Sequence, residues 1–336
     1  MTRTAILRAG AGVGFAAVSG WLAAAPSAQT PPAAGNWYKG NLHTHTINSD
    51  GDSSPDDVVR WYKEHRYDFL VLTDHNYLTS VEGLNSVFGA AEKFLVVRGE
   101  EVTSRFEKKP VHVNALNPET LVEAQGGLSV LDTLQRNIDA IRRARGVPSI
   151  NHPNFGWAIT ADDLRQVQNN RLFEVYNGHP EVNNLGGGGS PGLEQVWDVL
   201  LTSGRRMYGV AVDDAHYFKQ FGPKYSNPGR GWVGVRAREL SASALVEALE
   251  RGDFYASTGV VLAEVARLPN ALRVDIKTAS PFKYTTEFIG ENGRVLKTSF
   301  DTSSTYTMAA ADRYVRVRVA ASSGEAAWTQ PVFRTP

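Results

Sequence analysis

Between residues 37 and 257, apolar runs of strand length alternate with amphipathic runs of helical length, which limits the chain to few architectures. The strand-like runs are 37–43, 68–74, 94–103, 111–117, 147–152, 172–176 and 207–213. Helical periodicity covers 55–65, 129–145, 161–168, 192–203 and 243–251, and Ser54 followed by Pro55 reads as a cap and first turn. Strands alternating with helices imply parallel strands joined by crossovers, hence a β/α barrel or a doubly wound sheet. Both architectures collect their chemistry at the carboxyl ends of the strands.

Histidines fall at those ends. Six of the eight in the chain stand in short motifs: Asn41-Leu42-His43-Thr44-His45-Thr46 with Ser49-Asp50-Gly51 behind it, Thr73-Asp74-His75, His112-Val113-Asn114, Asn151-His152-Pro153 and Asp213-Asp214-Ala215-His216. Gly99-Glu100-Glu101 ends another strand-like run. Side chains two apart on a strand share a face, so His43 and His45 can grip one ion, and Asp214 and His216 can serve two neighbouring ions. Glu101 and Glu100 face opposite sides of their strand, so only one of them can join the cluster. With no cysteine in the chain, any metal is held by nitrogen and oxygen donors, which suits zinc, manganese or iron. A carboxylate bridging ions about 3.5–4 Å apart is the arrangement that prepares a hydroxide nucleophile, so the expected reaction class is hydrolysis.

Taken in order, the motifs resemble the polymerase and histidinol phosphatase (PHP) family of metal-dependent hydrolases. The resemblance covers roughly residues 37–257 and implies a distorted seven-stranded β/α barrel holding two or three divalent ions. Carried over by position, one ion takes His43, His45, Glu101 and Asp214; a second shares Glu101 and adds His112 and His152; a third takes Asp50, His75 and His216. Asp213 stands where related sequences commonly have serine. Gly-Asn-Leu-His-Thr-His-Thr at 40–46, Glu-Val-Tyr-Asn-Gly at 174–178 and Ala-Trp-Thr-Gln-Pro at 327–331 are similar to the branch named after carbaryl hydrolase. That branch often carries an export signal and a C-terminal β domain.

Beyond the ligands, Asp74 is a candidate to orient a ligand imidazole, and His179 to contact substrate or donate a proton. Arg105, Lys108, Lys109, Lys219 and Arg230 are candidate phosphate clamps, while Phe155, Trp157, Tyr176, Tyr217, Phe218 and Trp232 are candidates for an aromatic pocket. The stretch 217–231 reads as a loop over the site, and 183–192, with four consecutive glycines, as a second loop. After residue 262 the pattern changes to short alternating strands, the signature of a small antiparallel, sandwich-like β domain over 262–336.

Residues 1–28, with Arg3 and Arg8 ahead of a short apolar run, read as a secretory signal peptide and imply a periplasmic or secreted protein. The remainder carries 33 basic and 35 acidic residues, which gives no electrostatic case for nucleic acid, and no membrane span is expected in it. A small-molecule substrate fits this composition; the oligomeric state is not legible. Phosphoester hydrolysis is the leading expectation. An aryl carbamate or carboxylic ester on the same metal site is the alternative, and a metal-containing binding module is the third.

Overall fold

The computed structural model describes residues 1–2, 35–89 and 93–335, so nearly all of the expected signal peptide lies outside the described residues. The first part of the chain runs β1 (Asn36–Asn41), α1 (Pro55–Glu64), β2 (Phe69–Leu72), α2 (Glu82–Phe88), β3 (Leu95–Phe106), β4 (Lys109–Leu116), α3 (Val130–Arg143) and β5 (Val147–Ile150). It continues with α4 (Ala161–Gln166), β6 (Leu172–Asn177), α5 (Leu193–Thr202), β7 (Tyr208–Val212), β8 (Trp232–Ala237), α6 (Ala242–Arg251) and β9 (Phe254–Ser257). The caps follow the sequence: Ser54 accepts from the Asp57 N–H, Ser129 from Asp132, and Thr160 with Asp163 closes a capping box on α4. Helix α2 was not expected, and no side chain caps it.

Strands β1 to β7 lie side by side in chain order, with β1–β2, β2–β3, β5–β6 and β6–β7 parallel. Strand β4 is the exception. It turns back on β3 as a hairpin and is antiparallel to β5 as well, so all of these strands except β4 run in one direction. The expectation of crossovers throughout is therefore corrected: only two residues, Glu107 and Lys108, separate β3 from β4, too few for a parallel return. Beyond the strand ends, Thr44 and Ala215 form a parallel bridge, with the His45 N–H donating to the Ala215 carbonyl at 2.9 Å and the Asp214 N–H to the His43 carbonyl at 3.1 Å. The continuations of β1 and β7 thus meet.

Two strands that the sequence reading passed over, β8 and β9, extend the sheet antiparallel beyond β1. The C-terminal strands are β10 (Leu262–Leu268), β11 (Ala271–Ile276), β12 (Tyr284–Ile289), β13 (Val295–Ser299), β14 (Ser303–Thr307), β15 (Tyr314–Ala321), β16 (Ala326–Thr329) and β17 (Val332–Phe333). Strands β10, β11 and β14 make a separate antiparallel sheet, whereas β16 pairs with β9 and carries β15, β12 and β13 onto the large sheet. Apolar side chains of both sheets, among them Val265, Leu272, Val274, Phe288, Val315 and Val317, share one core cluster.

Polar anchors lock the C-terminal strands to the rest. Buried Gln330 donates its amide to the Gly209 carbonyl and accepts from the Gly209 N–H, both at 2.9 Å, so its side chain completes the backbone pairing of β7. Arg316 on β15, 1% exposed, grips Asp198 of α5 with two parallel bonds of 2.8 and 2.7 Å and reaches Glu194 at 3.3 Å. Removing one partner of such a pair strands the other charge in the core. Asp198→Ala is expected to cost ~3–5 kcal/mol, read as a lowered denaturation midpoint in urea, while Arg60→Ala, which breaks an exposed pair, should leave the midpoint unchanged.

Candidate metal centre

Where β1 and β7 meet beyond their ends, the chain places two dipeptide-spaced ligand pairs side by side. Leu42 is buried in the core, which sends His43 and His45 together to the opposite face. Their Nε2 atoms lie 3.1 Å apart. The Asp214 carboxylate sits 3.3 Å from His43 Nε2 and 3.2 Å from His45 Nε2, and Glu101 Oε2 lies 3.4 Å from each. A tetrahedron with arms of about 2.0 Å, the usual zinc–nitrogen or zinc–oxygen length, has edges of about 3.3 Å. Five of the six edges of this donor set have that length, while Glu101 and Asp214 fall in separate ligand groups, His43–His45–Glu101 and His43–His152–Asp214.

The Glu101 carboxylate is the common member of two further groups. Its Oε1 accepts from Asn151 Nδ2 at 2.7 Å and lies 3.0 Å from His112 Nδ1 and 3.3 Å from His152 Nε2. Its Oε2 is buried without a hydrogen-bond partner, an orphaned oxygen that a cation would satisfy. Toward the mouth, Asp50 approaches His45 Nδ1 at 3.5 Å, His75 Nε2 at 3.4 Å and His216 Nε2 at 3.3 Å. All nine expected ligands are therefore gathered, running from a buried floor at His43, His45, His152, Glu101 and Asp214 to exposed Asp50. His45 joins the Asp50 group as well as the first, one ring nitrogen toward each.

These ligands do not all sit at carboxyl strand ends, as the sequence reading had it. Glu101 lies in the middle of the long β3, and His112 near the start of β4. The reversal of β4 brings its amino end to the face where the other strands have their carboxyl ends. Gly99 lets β3 lie close on β2 there: a Cβ on it would sit 2.4 Å from a Val71 methyl and 2.7 Å from the Leu72 carbonyl oxygen. Asp214 and His152 have positive φ, 51° and 23°, in a region L-residues seldom occupy, and such strain gathers at functional sites.

Charge in so buried a site is mutually compensated. Burial would raise the carboxyl of Glu101, yet the imidazoles of His75, His43 and His112 hold it well below the usual carboxylate range. Burial likewise opposes a charge on His43, and Asp214, Glu101 and Glu174 together raise it well above an ordinary histidine.

Glu174 was not singled out as a site residue. It accepts from or shares a proton with His43 Nδ1 at 2.7 Å, and accepts from the His152 N–H at 2.6 Å and Asn177 Nδ2 at 2.7 Å. It thus turns His43 Nε2 inward, the carboxylate–histidine–metal arrangement. The available signal was an acid at an inward position of the apolar strand β6. Asp74 touches no ligand imidazole: it accepts from Thr46 N–H at 2.7 Å, Ser49 Oγ at 2.9 Å and Thr79 Oγ1 at 2.7 Å, fixing the loop that carries Asp50. Asp213 faces away from the cluster, accepting from Tyr62 OH at 2.7 Å, the Arg230 N–H at 2.6 Å, the Gly231 N–H at 2.8 Å and the Asn41 amide.

Other candidates separate by what they touch. His179 is half-buried, its ring 6.1 Å from Phe155 and 5.7 Å from His216, and its Nδ1 accepts from the Glu181 N–H at 3.2 Å. Arg230 donates to the carbonyls of Gly178 and Gly222, each at 2.9 Å, and Lys219 to that of Asp52, so both hold the 217–231 loop. Arg105, Lys108 and Lys109 stand exposed on the β3–β4 hairpin. Phe155 adjoins His152, and Trp157 and Tyr217 are exposed on loops, whereas Tyr176 stacks on Trp328, Phe218 packs on Trp61 and Tyr62, and Trp232 packs on Tyr255.

The fold recurs in a solved structure. A two-domain protein from Bacteroides vulgatus ATCC 8482, described as containing a predicted PHP-like metal-dependent phosphoesterase, superposes with a TM-score of 0.51 over 91% of this chain and 89% of its own, at 15% identity. The chain shares that protein's PHP-like fold. A candidate metal-dependent phosphoesterase from Bifidobacterium adolescentis ATCC 15703 matches over 66% of this chain and 98% of its own with a TM-score of 0.40. An amidohydrolase from Chromobacterium violaceum matches over 56% and 93% with a TM-score of 0.37. Identity is 15% in both, and neither score carries a fold assignment. No protein-family model and no curated protein sequence matches the chain.

If the site binds divalent ions through an oriented His43, Glu174→Ala should weaken retention of the most tightly held ion by ~10–100-fold. Competition with a chromogenic chelator measures this, and an unchanged affinity would remove Glu174 from the account.

Proposed function

We propose that the protein is a metal-dependent hydrolase of the PHP family, in the branch named after carbaryl hydrolase, that cleaves a phosphoester bond of a small molecule after export to the periplasm or beyond. The carrying observation is the convergence of His43 and His45 on Glu101 and of His43 on Asp214, with Glu101 extending the cluster to His112 and His152 and Asp50 gathering His75 and His216 beside it. We read β1 to β7 as a distorted seven-stranded barrel closed at the Thr44–Ala215 bridge, residues 37–257 as the catalytic unit and 262–336 as a sandwich-like companion. Donors of this kind suit two or three ions of zinc, manganese or iron.

Divalent ions in such a site supply a hydroxide at neutral pH and positive charge for the substrate's oxygens. The chain's own residues prepare the rest. Glu174 orients His43, Asn151 and Asn177 hold Glu101 and Asp214 with bonds of 2.7 and 3.1 Å, and Asp74 positions the loop of Asp50. His179, whose Nδ1 is occupied as an acceptor, keeps its ring proton on Nε2. It therefore serves as a hydrogen-bond donor to substrate oxygen rather than as a proton source.

Two divalent ions already exceed the charge of Asp50, Glu101 and Asp214, so an anionic phosphoester is attracted without Arg230 and Lys219, which hold the 217–231 loop. One observation favours the second reading, an aryl carbamate or carboxylic ester: Ile47, Tyr77, Trp157, Leu185, Tyr217 and Phe221 are exposed on loops that follow β1, β2, β5, β6 and β7.

The test loads the protein with manganese, zinc or iron and assays aryl phosphomonoester, phosphodiester and N-methylcarbamate side by side. Phosphoester turnover is expected, falling more than ~100-fold in Asp214→Asn. Carbamate turnover alone would replace this reading with the second. His179→Ala is expected to lower kcat by about 10²-fold with metal content unchanged; loss of bound metal in that variant would make His179 a structural residue instead.

A further inference from the structure

The amino ends of β6 and β7, opposite to the metal groups, open into a cavity of about 860 Å³ whose lining includes Arg142, Arg171, Arg205, Arg206, Arg251 and a single acid, Glu250. Arg142 and Arg251 are in the last turns of α3 and α6, where cations offset the helix ends. Both also have carboxylate partners, Arg142 in Glu250 and Arg251 in Asp253 at 2.8 Å. The other three do not. Among the described residues, no carboxylate lies within ion-pair distance of Arg171, Arg205 or Arg206, although the three converge on one cavity.

Their polar atoms are also incompletely matched. Arg205 donates through Nη2 to the Asn170 carbonyl at 3.0 Å, but its Nε is buried without a partner. The guanidinium of exposed Arg206 lies 4.8 Å from the Phe333 ring centroid, a cation–π contact that uses none of its N–H donors. Burial, and then the neighbouring charge of Arg171, disfavours the charged form of Arg205. Like charges crowded around a concavity repel one another unless an anion joins them.

We propose that this cavity binds a multiply charged phosphate anion of the pyrophosphate type on the guanidinium groups of Arg171, Arg205 and Arg206. Guanidinium forks match phosphate oxygens two at a time, and three cations whose protein partners are at most neutral carbonyls, Asn170 for Arg205 and Glu250 for Arg171, exceed the need of a single monoanion. The volume admits a diphosphate or a small molecule that bears one. This site is independent of the metal groups and of the reaction proposed for them.

Calorimetric titration of the metal-loaded protein with inorganic pyrophosphate and, separately, ADP tests it, with hydrogen exchange locating the site. Arg171 and Arg206 are exposed and outside the core, so Arg171→Gln/Arg206→Gln should keep the melting temperature and metal content. The expected result is protection at residues 169–171 and 204–206 in the wild type, and at least ~10-fold weaker binding in the double variant, with partial recovery in Arg171→Lys/Arg206→Lys. Equal binding of both probes would place recognition in the diphosphate group whatever carries it; binding of pyrophosphate alone would assign the free anion. Wild-type affinity in the glutamine variant, protection confined to the metal loops, or citrate binding as tightly as pyrophosphate would overturn the proposal.

Discussion

The Glu101 carboxylate is the group on which the candidate site depends. It is almost wholly buried, its Oε1 is in reach of His112, His152 and Asn151, and its Oε2 faces His43, His45 and His75 without a hydrogen-bond partner. A carboxylate in that position is costly unless positive charge surrounds it. The fold supplies that charge from separate strands, because every neighbour except β4 presents its carboxyl end and β4 presents its amino end to the same face. Gly99 and the Thr44–Ala215 bridge set how closely those strands approach.

Around this centre, a further set of polar groups holds its side chains and loops in place. Glu174 serves His43 and the backbone of His152, Asn177 connects Glu174 to Asp214, and Asp74 holds the loop of Asp50. Asp213 works on the outer side, tying Tyr62 of α1 and the 217–231 loop to β7. Two adjacent aspartates thus have opposite tasks. The positive φ of Asp214 turns its side chain inward while Asp213 points out.

The nine side chains that the fold brings together could be picked out in sequence because local spacing carries them: His-x-His and Asp-x-His pairs keep one face, and each motif follows an apolar run. The reversal of β4 follows from length alone, since the gap 104–110 between the two expected strands is shorter than the roughly dozen residues a parallel return needs, but the alternation of strands and helices on either side hides it. Strands β8 and β9 were missed because they follow a loop and a helix with no chemical motif to mark them. Roles that depend on partners distant in sequence could not be read either. Glu174 meets His43 across 131 positions, and Arg316 meets Asp198 across 118. Arg230 and Lys219 looked like anion clamps for the same reason, since their carbonyl partners are visible only in three dimensions.

The most direct measurement is an anomalous-difference map from crystals of the zinc-loaded protein, collected on both sides of the zinc absorption edge. The account predicts a strong peak among His43 Nε2, His45 Nε2, Glu101 and Asp214 at about 2.0–2.2 Å from each, with further density on the other side of Glu101. Clear density for all four side chains with no peak between them, or zinc bound only elsewhere, would contradict it.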